Sequence, residues 1–287
     1  MRPPPTSRIL RRVNEPPRIA ILGAGRLGTT LAAALTAHGR EVQLAHARDR
    51  AKAQTALDAA DLVFLTVPDA AIPAVCASLR WRTGQAAVHC SGALGLDVLA
   101  SATEAGALAG CLHPLQSFPA GQPDPARFAA ITCGIEASPP LDATLERLAH
   151  DLGARTVRLE GIDRALYHAA AVFAANDIVA LMAAATRTWA LAGLPPGAAR
   201  EALGPLLLAV AQNVTRLDLV PALTGPLARG DLGTIERHLA ALEAEPSLHA
   251  LYRALAAELA QLPLGHPPAL VARLRALLDA TPGTPAD

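Results

Sequence analysis

An alanine-rich apolar stretch, DRALYHAAAVFAAND at residues 163–177, nevertheless places a histidine, His168, near its start and an asparagine, Asn176, with an aspartate near its end. Eight residues of helix amount to about 12 Å of rise and about 80° of rotation. Such a pair could touch different parts of one ligand lying along the helix without touching each other. An imidazole titrates near 6.5 and can give or take a proton at neutral pH, whereas an asparagine orients by hydrogen bonding.

A second pattern points to a ligand for that chemistry. RIAILGAGRLGTTLAAALTAHG contains G-x-G-x-x-G at Gly23, Gly25 and Gly28, directly after an apolar strand and opening a helix. Gly23 permits the tight turn, Gly25 lets the backbone approach a pyrophosphate, and Gly28 lets the helix pack on the strand. The helix start, with Ala24, Arg26 and Leu27, offers free N–H groups to the phosphates. A dinucleotide is therefore the expected cofactor. An NAD site places an acid after the second strand, but LAHARDRAK supplies Arg48, followed by Arg50 and Lys52, with Asp49 the only acid among them. An arginine suits a 2′-phosphate, so NADP is expected ahead of NAD. TVPD closes another strand, and the backbone of Val67, Pro68 and Asp69 is expected to pass the nicotinamide side.

Further candidates lie where strands end. HPLQSF brings His113 out at the carboxyl edge of a late strand as a second candidate proton donor, with Gln116 or Ser117 able to hold a carboxylate or amide. HCSGAL offers the Ser91 hydroxyl and the bare backbone of Gly92 to a substrate. In ALTGPLARGD, Thr224 and Asp231 read as helix caps, while Arg229 has no such local task and is the candidate for an anionic substrate group.

The ordered motifs GAGRLG, LVFLTVPD, HCSGAL, HPLQSF, YHAAAVFAAN and ALTGPLARGD resemble the Rossmann-like oxidoreductases whose C-terminal domain is called domain of unknown function 2520. These are distant relatives of ketopantoate reductase, pyrroline-5-carboxylate reductase and the 3-hydroxyacid dehydrogenases. The resemblance spans nearly the whole chain past its first residues. It implies a nicotinamide cofactor, a helical second domain that dimerises, and a site in the cleft between the domains, but names no substrate. Several of these relatives carry a catalytic lysine early in the first long helix of the second domain. Here the matching place holds His168, with Asn176 two turns on, and the chain's single lysine, Lys52, lies at the adenosine end. The resemblance thus implies that a histidine replaces that lysine.

The elements that must position these residues follow an α/β pattern. Short apolar runs (RIAILG, EVQLAHA, DLVFLTVP, AAVHC, ALAGCLH, AAITCGI, RTVRLE) alternate with helical ones, predicting a doubly wound parallel sheet, the Rossmann arrangement, over 18–161. Beyond Gly161 only helical patterns remain, roughly 163–192, 196–217, 231–244, 247–262 and 267–279, so 162–287 is expected to be an all-α substrate and dimerisation domain. The proline- and arginine-rich residues 1–17 read as a disordered extension.

Composition narrows the function classes. Of 287 residues 52% are hydrophobic, enough for a sizeable core, while 25 basic side chains balance 25 acidic ones and only 3% of residues are aromatic. There is neither a net field for a polyanion nor a supply of stacking platforms, so nucleic acid is not an expected partner. Cys76, Cys90, Cys111 and Cys133 show no metal-ligand or disulfide spacing, so no metal is expected, and they read as reduced thiols of a cytoplasmic protein. The apolar run from Ala169 to Leu194 is interrupted by Asn176, Asp177 and Arg187, which predicts a buried soluble helix and no membrane span. Together these readings predict an NADP(H)-dependent oxidoreductase reducing a small carbonyl or imine compound that bears a carboxylate, assembled as a homodimer. The alternative is a non-catalytic NADP-binding redox sensor or scaffold.

Overall fold

The structure is a computed structural model and describes residues 16–279. The extension expected at 1–17 therefore lies almost wholly outside the described residues. Strands β1 (Ile19–Leu22), β2 (Val42–Ala45), β3 (Leu62–Leu65), β4 (Ala86–His89), β5 (Leu108–Pro114), β6 (Thr132–Ala137) and β7 (Arg155–Arg158) form one sheet in the order β2-β1-β3-β4-β5-β6-β7. Because β1 lies between β2 and β3, the chain leaves β1 and β3 in opposite directions, making a switch point beside the glycine loop.

Each strand residue sends its side chain to one face or the other. Ile19, Ile21, Leu62, Phe64, Ala86 and Val88 pack on one side with Leu31, Ala34 and Leu35 of α1 (Arg26–Ala37) and Leu141, Leu145 and Leu148 of α5 (Leu141–Asp151). Ala20, Leu22, Val63, Leu65 and Ala87 pack on the other with α2 (Arg50–Ala59), α3 (Ile72–Ala77) and α4 (Ala100–Glu104). Burial on both faces explains why β1, β3 and β4 read as continuous apolar runs. All four cysteines are free and buried.

The expected doubly wound parallel sheet is present, with one amendment at its far edge. β1 to β5 are parallel, but β6 runs antiparallel to β5, and β7 runs parallel to β6. A parallel neighbour requires a crossover element. Residues 115–131 instead contain only a single 3₁₀ turn, Pro125–Phe128, whose Phe128 is fully buried against the α1 side of the sheet.

The chain divides into two compact units, residues up to 177 and from 178 onward, so α6 (Arg164–Ala174) goes with the sheet. The helix expected over 163–192 is interrupted at Ala175, whose φ of −128° and ψ of −69° separate α6 from α7 (Asn176–Leu191). In the second unit follow α8 (Ala199–Arg216), α9 (Leu219–Ala222), α10 (Pro226–Arg229), α11 (Leu232–Leu242), α12 (Pro246–Leu259) and α13 (Pro268–Asp279). Leu227, Leu232, Ile235, Leu239, Leu274 and Leu278 form the core of this unit. Asp231 caps α11 as expected, accepting from the Thr234 amide at 3.1 Å. Thr224 does not cap α10: the cap position is Gly225, at φ +91°, with Pro226 in the first helical place.

A second correction concerns burial. No residue of α6 or α7 is buried, and Leu166, Phe173 and Val179 are each at least 70% exposed. Length and composition alone would let Arg164–Leu191 cross a bilayer, with a mean hydropathy of 1.7. Within that stretch, however, Arg187 pairs at 3.0 Å with Glu245, the residue that precedes α12, tying α7 into its own unit.

Phe128 anchors the loop that replaces a crossover helix. Phe128→Ala is expected to cost about 3–5 kcal/mol, measured as a shift of the urea unfolding midpoint with an unchanged slope.

Candidate active site

The glycine loop has the geometry that a dinucleotide needs. Gly23 sits at φ +131°, a conformation that disfavours any side chain, and a Cβ there would lie 2.6 Å from the Thr66 carbonyl oxygen. A Cβ on Gly28 would lie 1.9 Å from the Gly23 carbonyl oxygen, so only glycine lets α1 start this close to the loop. Thr66 Oγ donates to that same carbonyl at 2.8 Å, binding the exit of β3 to the turn. Gly25, the cap position of α1, faces open space, makes no side-chain cap, and no acid stands in the first turn. The first amides of α1 are thus left for an external anion, and the residues present fit a pyrophosphate.

After β2, Asp49 is committed elsewhere. Its carboxylate caps α2 by accepting from the Lys52 amide at 3.1 Å and pairs with Lys52 Nζ at 3.2 Å. Those hydrogen bonds hold its carboxyl below the usual range. Arg50 donates to the Ser78 carbonyl at 3.0 Å. Arg48 is exposed and makes no hydrogen bond or ion pair among the described residues.

Beyond the glycine loop, the carboxyl ends of β4 and β5 and the start of α6 bring together a cluster of polar groups. His113, at the end of β5, and His168, on α6, approach with ring centroids 6.1 Å apart. They meet over Gly92, where an added Cβ would lie 2.8 Å from both His113 Nε2 and His168 Nδ1. The bare backbone of Gly92 therefore admits the two rings. His168 Nδ1 is buried without a hydrogen-bond partner. Tyr167, beside it, places its hydroxyl 3.0 Å from His113 Nδ1.

Ser91 is spent on the turn itself. Its hydroxyl donates to Asp69 at 2.6 Å and accepts from the amides of Ala93 and Leu94, both at 3.2 Å. Asp69, expected to serve through its backbone, thus also links the end of β3 to the loop after β4. Val67 packs on the core beneath it, and Pro68 is exposed.

Arg164 braces the cluster. From the first turn of α6 its guanidinium donates to the Leu94 carbonyl at 2.7 Å, to the Ser91 carbonyl at 3.3 Å and to the Cys111 thiol at 3.0 Å. It also stands 3.7 Å from Glu136 of β6, with a side chain only 10% exposed. Burial, reinforced by this positive charge, lowers His89 to about 4. Burial and then the His168 and Arg164 charges lower His113 to about 4 as well. Burial raises the Tyr167 hydroxyl to about 12.

Of the sequence candidates, the structure brings His113, His168, Ser91, Gly92 and Asp69 into one cluster. Gln116 is exposed and occupied within its own loop, donating to the Arg127 carbonyl at 3.3 Å and accepting from the Ser117 amide at 2.8 Å. Asn176 is exposed at the start of α7, and Arg229 stands exposed at the end of α10 in the second unit. Arg164, Tyr167 and Gly134 are members that sequence reasoning missed. A signal existed: positions 164, 167 and 168 are three and four residues apart and so share a helix face.

A doubly wound sheet with an open glycine loop at its switch point defines a Rossmann-like nucleotide-binding protein, and residues 46–114 match the Rossmann-like domain family. Residues 131–259 match the family described as domain of unknown function DUF2520, so the chain joins a Rossmann-like domain to a DUF2520 domain. Among solved structures, a candidate NADP oxidoreductase from Bacteroides fragilis is similar, at 27% identity and a TM-score of 0.65 over 84% of this chain and 97% of that one. A Thermotoga maritima protein shares 23% identity with a TM-score of 0.64, over 91% of this chain and 98% of the other. The 1-pyrroline-5-carboxylate reductase of Streptococcus pyogenes shares the fold at 18% identity, with a TM-score of 0.59 over 91% and 98%. No curated protein matches the sequence.

The low values of His89 and His113 fix a pH dependence of stability. Each is held below its ordinary 6.5, so between about pH 4 and 6.5 the unfolded chain binds protons that the folded one does not. Their contribution is complete above pH 6.5 and is lost as the pH falls toward 4. Urea unfolding at pH 7 and 4.5 is expected to differ by about 2–3 kcal/mol for each histidine, with a smaller difference in His89→Gln.

Proposed function

We propose that the protein is an NADP(H)-dependent oxidoreductase that reduces a small carbonyl or imine compound bearing a carboxylate. The observation that carries this reading is the meeting of two imidazoles over Gly92, one of them in contact with a phenol at its far nitrogen, at the same edge of the sheet as an open pyrophosphate loop. Ligands of doubly wound sheets bind at that edge. Reducing C=O or C=N requires a hydride on carbon and a proton on the heteroatom. The cofactor, when bound, supplies the hydride.

The chain's own residues divide the remaining work. The amides at the start of α1 hold the pyrophosphate, and the backbone of Val67, Pro68 and Asp69 lines the nicotinamide side. His113 and His168 handle the proton, a task worth 10²- to 10⁴-fold in rate. Asn176 is assigned to the substrate's polar groups. The similar Bacteroides protein is described as an NADP oxidoreductase, and the substrate named for the Streptococcus enzyme is a cyclic imine carrying a carboxylate; both support this class.

Arg48 supports NADP over NAD, because its free guanidinium follows β2 while Asp49 is committed to capping and to Lys52. The exposed apolar side chains from Leu166 to Leu219 support a homodimer, since a face of this kind gains stability by being covered by a second copy.

Three measurements check these assignments. NADPH is expected to bind at least tenfold more tightly than NADH by fluorescence titration, with Arg48→Ala removing the difference; equal affinities in the unaltered protein exclude the NADP assignment. His168→Ala is expected to lower turnover on a panel of keto and imino acids by about 10²-fold or more, with NADPH affinity unchanged. Light scattering at micromolar concentration is expected to give twice the chain mass, and a monomer would refute the dimer.

A further inference from the structure

Tyr167 reaches His113 through a gap that a second glycine provides. Gly134 of β6 is the direct cross-strand partner of His113. A Cβ on Gly134 would lie 2.6 Å from the Tyr167 hydroxyl, so any other residue there would displace it. Across this gap the hydroxyl stands 3.0 Å from His113 Nδ1, with the rings edge to face at a centroid distance of 5.6 Å. On the other side of the imidazole, Nε2 faces Gly92 and makes no hydrogen bond among the described residues.

The charge states select one direction for the bond. A phenol raised to about 12 keeps its proton at neutral pH, and an imidazole lowered to about 4 stays neutral. The groups facing His113 are Arg164, Tyr167 and His168 of α6, His89 of β4 and Asp69 after β3. Among them Arg164, His168 and His89 disfavour an imidazolium, and only Asp69 favours one. A neutral ring that accepts at Nδ1 carries its proton on Nε2.

We propose that Tyr167 is a positioning and proton-relay residue: its O–H donates to His113 Nδ1, keeps the His113 proton on Nε2, and replaces that proton as it passes to the substrate heteroatom. The relay rests on the reductase reading above. As the C=O or C=N π bond breaks, carbon takes the hydride of the reduced cofactor and the heteroatom takes the Nε2 proton. The Nε2–H and Tyr167 O–H bonds break and Nδ1–H forms, so the ring changes tautomer without ever becoming a cation. The phenolate then recovers its proton from Nδ1 while Nε2 takes one from water, leaving solvent as the net proton source. An alkoxide or amide anion is a stronger base than a phenolate, so the transfer runs downhill.

The tautomer can be read without any turnover. In ¹⁵N-labelled protein, His113 is expected as the Nε2–H tautomer, without titration between pH 5 and 8. Tyr167→Phe and Gly134→Ala are each expected to abolish that fixed tautomer while the other histidines keep their shifts. With a reducible substrate, Tyr167→Phe is expected to lower kcat about 10- to 100-fold and to leave NADPH affinity unchanged. A His113 found as the Nδ1–H tautomer, or titrating near 6.5, overturns the relay, even if neither variant folds. An unaltered kcat in Tyr167→Phe removes the relay alone. Failure of the unaltered protein to oxidise NADPH with any carbonyl or imine removes the reductase reading and the relay with it.

Discussion

The antiparallel pairing of β6 with β5 is the constraint from which the site follows. The chain turns back after Pro114 without a crossover helix, which sets Gly134 opposite His113 and Cys133 opposite Pro114. Only with glycine opposite His113 is there room for a phenol above the sheet. The reversal also coincides with the start of the DUF2520 match at residue 131. The last two strands of the sheet thus come with the helical domain's family, and the shared edge is where His113 meets Tyr167.

Holding that cluster together is a buried cation. Arg164 spends its guanidinium on two loop carbonyls, a thiol and the nearby Glu136. A buried charge is costly unless hydrogen bonds and a counter-ion compensate it, and here they come from the loop after β4, from β5 and from β6. The first turn of α6 is therefore fixed to the sheet at the place where Tyr167 and His168 project. The same charge adds to burial in keeping His89 and His113 neutral, so one residue serves both the geometry and the protonation of the cluster.

The Rossmann part was legible because its signals are local. The glycine triplet, the apolar four-residue strands and the turn residues after β3, β4 and β5 each depend on neighbours in sequence, and each stands where the sequence placed it. Strand direction at β6 was not legible, because AAITCGI reads the same in either orientation and only the absent crossover helix decides it. The burial of α6 and α7 was misread for a related reason: an apolar helix is equally consistent with a core and with an uncovered face. His168 and His113 were found by residue type. Tyr167 and Arg164, on the same helix, are not legible in this way because their partners lie 54 and 70 positions away.

The near-absence of lysine gives the molecule an unusual chemical handle. All but one of its 25 basic side chains are arginine, and the exception, Lys52, is 79% exposed beside Asp49, one turn from Arg48. Acylating reagents that modify amines but spare guanidinium groups therefore find a single side-chain target. A fluorophore attached there reports from the neighbourhood assigned to the adenosine phosphate. On the NADP site proposed at Arg48, its emission is an optical readout of nucleotide arrival, with no engineered cysteine and no other lysine to mask.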